Sequence, residues 1–126
     1  MAKDDKNPTG ALRIRSRTVE RPKPVAVLEV EGFVDTSTAP EFEKCLREVL
    51  DRGIVNLVLN VAKTSYVSSL GWGVLLSLLD ELRDKKGVVR LACLSPEVLD
   101  IYKIMGFSHL IRVYATEDEA IQSCPS

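Results

Sequence analysis

Apolar residues change spacing several times along this chain, and each change predicts an element. Leu12 and Ile14 alternate with Arg13, Arg15 and Arg17, the period of two of a half-exposed strand whose outward face is basic. Arg21-Pro22-Lys23-Pro24 breaks that run. Val25-Ala26-Val27-Leu28-Glu29-Val30-Glu31 then predicts a second strand, close enough to pair with the first as an antiparallel hairpin and ended by Gly32. The run Ile54 to Val61 is short, β-branched and almost continuously apolar, as a strand buried on both faces should be. Val88 to Cys93 and Ile111 to Tyr114 supply two more strands.

Between the strands the spacing becomes helical. Ala39, Phe42, Leu46, Val49 and Leu50 fall on one face, preceded by Thr36, Ser37 and Thr38 as N-cap candidates, with Pro40 in the first turn and Gly53 as the closing cap. Gly71, Leu75, Leu78, Leu79 and Leu82 face one way, and Asp80, Glu81, Arg83 and Asp84 the other, predicting a helix from about Ser69 to Lys85. Ser95-Pro96-Glu97 opens a third helix that Gly106 stops, and Thr116 to Glu119 is a capping box for a terminal one.

The order β-β-α-β-α-β-α-β-α carries no internal repeat. Strands separated by helices must be parallel, and right-handed crossovers that progress in one direction place their helices on one side. The predicted fold is therefore α/β: a single-layer mixed sheet, mostly parallel, with an antiparallel N-terminal edge strand and helices packed mainly on one face. Residues 11–126 form this domain, and residues 1–10 (MAKDDKNPTG) are expected to be a flexible tail.

Composition narrows the function classes. A 126-residue chain buries about two-thirds of its unfolded surface and needs no metal or disulfide to fold. With 28% charged residues and a net charge of −1, it has no whole-protein attraction to nucleic acid or anionic lipid. Cys45, Cys93 and Cys124 make no CxxC pair and leave an odd one over, which points to a reduced, cytoplasmic setting. With no signal-peptide pattern and no apolar stretch of spanning length in the sequence, no direct membrane insertion is expected.

The densest chemistry lies at Tyr66-Val67-Ser68-Ser69-Leu70-Gly71-Trp72-Gly73, where a strand and its loop turn into a helix. A hydroxyl there is either an N-cap or a group exposed at the positive end of a helix dipole, where free N–H groups accept a carboxylate or a phosphate. Gly71 and Gly73 keep that first turn thin. At the carboxyl ends of neighbouring strands, Asp35 and Ser68-Ser69 are expected to emerge side by side.

Three stretches together resemble the STAS domain, the module named for sulphate transporters and anti-sigma-factor antagonists. They are Leu28 to Asp35 with Thr38-Ala39, Val58-Leu59-Asn60 through Ser69-x-Gly71, and Ser95-Pro96 with Met105-Gly106. The resemblance covers about Leu12 to Ile121. It implies a non-catalytic, partner-switching regulator that binds an anti-sigma-factor serine kinase, is phosphorylated by it at Ser69 (Ser68 as second choice), and is restored by a phosphatase. It also implies a partner surface of Asp35, Thr36, Ser68, Ser69, Gly71 and Trp72, with Asp35 orienting the Ser69 hydroxyl. Ser68 stands where the family often has Asp, Leu70 where it often has a second serine, and Trp72 where an aliphatic is usual. The alternative is a STAS subunit of a membrane lipid-transport ATPase or a scaffold unit of a stress-sensing assembly.

The remaining candidates read as structure. The Arg13, Arg15 and Arg17 stripe has no interleaved aromatics to stack bases and suits an edge strand that avoids aggregation, so no nucleic-acid partner is expected. Gly71-Trp72-Gly73 lacks the Gly-Lys of a phosphate-binding loop. His109, the sole imidazole, lies in a different turn from Ser69, so no nucleophile–base pair and no enzyme are expected. Trp72 is either an interface anchor or a side chain folded back onto the sheet. No cofactor is expected, and the chain reads as a monomer or weak dimer.

Overall fold

The computed structural model describes residues 12–125; the expected tail at residues 1–10 lies outside them. Five strands form one sheet in the order β1-β2-β3-β4-β5: β1 (Leu12–Val19), β2 (Val25–Val34), β3 (Asn56–Val67), β4 (Val88–Ala92) and β5 (Arg112–Tyr114). β1 pairs antiparallel with β2, and the other neighbours pair in parallel. The crossovers hold α1 (Ala39–Asp51), α2 (Ser69–Asp84) and α3 (Pro96–Met105), a 3-10 turn at Phe107–His109 follows α3, and α4 (Glu117–Gln122) ends the chain. This is the mixed, mostly parallel sheet that the element order implies.

α1, α2 and α3 share a core with Leu12, Ile14, Ala26, Leu28, Val30, Leu57, Leu59, Val89 and Leu91 on one sheet face. α4 lies on the other, where Ala120, Ile121 and Cys124 cover Val25, Val27, Val58 and Ala92. A six-residue helix has little stability of its own, and side chains from the sheet and from the β1–β2 turn fasten it. Arg21 donates to the carbonyls of Ile121 and Cys124, Arg90 to the hydroxyl and carbonyl of Ser123, and Asn56 to the carbonyl of Pro125. Arg17 pairs with Glu117 at 2.7 Å, while Arg13 and Arg15 face Glu31 and Glu29 in the ladder, so the basic stripe sits beside acidic neighbours within the domain.

Two strands outrun the pattern. Gly32 does not end β2: at φ 115° it lets the strand bend, and pairing with β3 continues to Val34–Val67 through register shifts at Glu29/Glu31 and Gly32/Phe33. β3 likewise runs six residues past Val61. The first shift sets Val61 and Ala62 against Val30 alone, a β-bulge. Polar groups of β3 close the gap: the Thr64 hydroxyl donates to the Val30 carbonyl at 2.8 Å, and the Ala62 N–H donates to Asn60 Oδ1 at 2.9 Å. Among the described residues, no helix is long and apolar enough to cross a membrane.

Candidate functional site

The extra length of β2 and β3 builds the site. Val34 and Val67 end the strands side by side, and the Ser68 N–H donates to the Val34 carbonyl at 2.7 Å, so Asp35 and Ser68 leave the sheet from adjacent points. The first turn of α2 then rests on both strand ends. A Cβ at Gly71 would lie 2.7 Å from Val34 Cγ1 and 2.9 Å from Val67 Cγ1, closer than stiff β-branched side chains tolerate. Gly71 is required by that approach. Gly73 is not, because nothing lies within 4 Å of its Cβ position.

Ser68 and Ser69 take different roles. Ser68 is extended (φ −75°, ψ 169°) and caps α2: its Oγ accepts the Gly71 N–H at 3.3 Å and its carbonyl accepts the Trp72 N–H at 3.0 Å. Ser69 is the first helical residue and is exposed, so its hydroxyl has no capping duty. No acidic side chain occupies the first turn of this 16-residue helix, so none of its own residues offsets the positive end of its dipole there.

Asp35 is occupied elsewhere. Its Oδ1 accepts the Ser37 hydroxyl at 2.8 Å, the Ser37 N–H at 3.0 Å and the Thr38 N–H at 3.2 Å. The Ser37 hydroxyl above all, with the two amides, holds the carboxyl below the usual carboxylate range, against a smaller opposing effect of desolvation. Thr38, the N-cap of α1, makes no side-chain cap bond; its Oγ1 donates to the Phe33 carbonyl at 2.7 Å and accepts the Asp35 N–H at 2.9 Å. Asp35 thus forms the turn between β2 and α1, and among the described residues no hydrogen bond joins it to Ser69, contrary to the expectation that it orients that hydroxyl. Thr36 is exposed on the same turn.

Trp72 corrects a second expectation. It is 2% exposed, with its ring centroid 4.9 Å from Phe107 and 6.4 Å from Tyr102. Although only three residues after exposed Ser69, it packs inward against α3 and the 3-10 turn, so it is core and no partner surface. The large apolar side chains exposed near the site are instead Phe33 (50%), Tyr66 (47%) and Leu70 (49%). Strand parity could have revealed the first two: once Val34 and Val67 face the core, their predecessors must face out. Ending β2 at Gly32 hid that signal.

Comparison with known proteins agrees with this architecture. A family model for the STAS domain matches residues 16–120. The BtrV protein of Bordetella bronchiseptica is 30% identical over 91 residues, 72% of this chain and 78% of that protein. The anti-sigma-B factor antagonist of Listeria monocytogenes is 28% identical over 90 residues, covering 71% of this chain and 79% of its own. Among solved structures, the anti-sigma factor antagonist SpoIIAA in its unphosphorylated form superposes with a TM-score of 0.69 at 21% identity, over 85% of this chain and 93% of that one.

Proposed function

The chain belongs to the STAS domain family, and from that premise we propose that it is a non-catalytic partner-switching regulator, an antagonist of an anti-sigma factor. Unmodified, it binds an anti-sigma-factor serine kinase in the cytoplasm. Phosphorylated on Ser69, it lets the kinase go, and a phosphatase resets it. The protein acts as a monomer or weak dimer, without nucleic acid and without inserting into a membrane. The face presented to the kinase comprises the turn at Asp35 and Thr36 and the helix start at Ser68 and Ser69, with Gly71 as the floor that lets the helix sit close.

One observation carries this reading: Ser69 is exposed at the first position of α2 while its neighbour Ser68 does the capping. A kinase can therefore take the Ser69 hydroxyl without unpicking the helix. The phosphate adds about −1.5 to −2 charges, which the first-turn amides and the helix dipole accept in place, whereas a partner surface packed over it must expel or neutralise them. The names of the relatives, antagonists of anti-sigma factors, support the partner class.

The test is incubation with ATP and the anti-sigma-type kinases of the same genome, followed by mass mapping. A single phosphate on Ser69 is expected. A phosphate on Ser68 alone, or none with any of them, overturns the assignment.

A further inference from the structure

We infer that the kinase is held through an exposed aromatic pair, Phe33 and Tyr66, so that the partner surface this chain fits is an apolar cleft. The inference rests on the partner-switching reading above and adds to it the chemistry of the contact.

Phe33 and Tyr66 are register partners on adjacent parallel strands, which sets their side chains next to each other on one face of the sheet. Each is about half exposed, at 50% and 47%, although the strand residues that follow them, Val34 and Val67, are 1% and 6% exposed. The two strands leave the sheet immediately afterwards into the turn of Asp35 and the helix start of Ser69, and Leu70, the residue after Ser69, is itself 49% exposed. Three large apolar groups are therefore exposed on the two strand ends and the helix start that lead to the serine.

Most of the polar residues beside them are neutral. Ser65, Ser69, Thr36 and Ser37 are neutral, and the Asp35 carboxylate is already engaged by its own turn. Aromatic side chains exposed beside a binding site concentrate interface energy when a partner desolvates them. The same desolvation makes a nearby phosphate disruptive, since a dianion buried against an apolar wall loses its hydration without gaining a counter-charge.

The test is titration calorimetry of the kinase that phosphorylates this chain against the unmodified protein and its variants. Phe33→Ser and Tyr66→Ser are each expected to weaken binding roughly tenfold or more, with the cooperative unfolding transition retained and only a modest fall in melting temperature, because about half of each side chain is already in water. Phe33→Leu and Tyr66→Leu are expected to keep most of the affinity. Raising salt from about 50 to about 500 mM, which shortens the screening length several-fold, is expected to change wild-type affinity by less than about threefold. Wild-type affinity in both serine variants, or a steep salt dependence, overturns the inference while leaving the switch intact if Ser69→Asp still abolishes binding. If Ser69→Asp binds as tightly as wild type, the switch reading itself fails.

Discussion

At the scale of single residues, Ser68 and Ser69 differ by one position and by their whole physical role. Ser68 Oγ satisfies the Gly71 N–H, so Ser68→Ala is expected to cost about 1 kcal/mol, the ordinary worth of an N-cap. Ser69→Ala removes an exposed hydroxyl and is expected to stay within about 0.5 kcal/mol of wild type. Urea unfolding of both variants checks this, and equal losses would contradict the division of roles. Asp35 has a pH signature. Its folded carboxyl titrates below its unfolded value, so its contribution to stability is fully present above the unfolded value and is lost as pH falls through the folded one. Ser37→Ala removes the strongest cause of that depression. A carboxyl NMR titration is expected to show the Asp35 midpoint rising toward the usual carboxylate range in this variant; an unmoved midpoint would mean that the Ser37 hydroxyl does not hold it.

At the scale of elements, helix and strand order was legible because the apolar period changes cleanly at each boundary. The caps at Ser95 and Thr116 and the left-handed closures at Gly53 and Gly106 stand where the sequence puts them. What the pattern hid were the ends of β2 and β3, where two register shifts break the alternation that reveals a strand. Those hidden ends carry the site. Trp72 was ambiguous for a related reason: the first turn of a helix on a sheet has an inner and an outer side, and which one a residue takes depends on how the strand ends orient the turn. Here Gly71 and Trp72 point in and Ser69 out. Trp72 joins α2 to Tyr102 of α3 and to Phe107 of the 3-10 turn, so Trp72→Ala is expected to cost about 3–5 kcal/mol of stability. Calorimetric unfolding measures this, and a stable variant with weakened kinase binding would return Trp72 to the partner surface.

At the scale of the whole molecule, the sheet is packed on both faces, by α1 to α3 on one and by the fastened α4 on the other. The topology followed from the order of elements and the handedness of crossovers, whereas the place of α4 did not, because its attachment depends on Arg21, Arg90 and Asn56, each distant from it in sequence. A domain held this way has no need to rearrange when one exposed hydroxyl is modified. On the proposed reading, the helix start would accept the phosphate where it stands, and the effect on the partner would come from charge and bulk at the contact. The account is tested most directly by titrating the cognate anti-sigma-factor kinase against this chain before and after stoichiometric phosphorylation of Ser69. The expected result is a loss of affinity of at least tenfold, about 1.4 kcal/mol, and equal affinity for the two forms would contradict it.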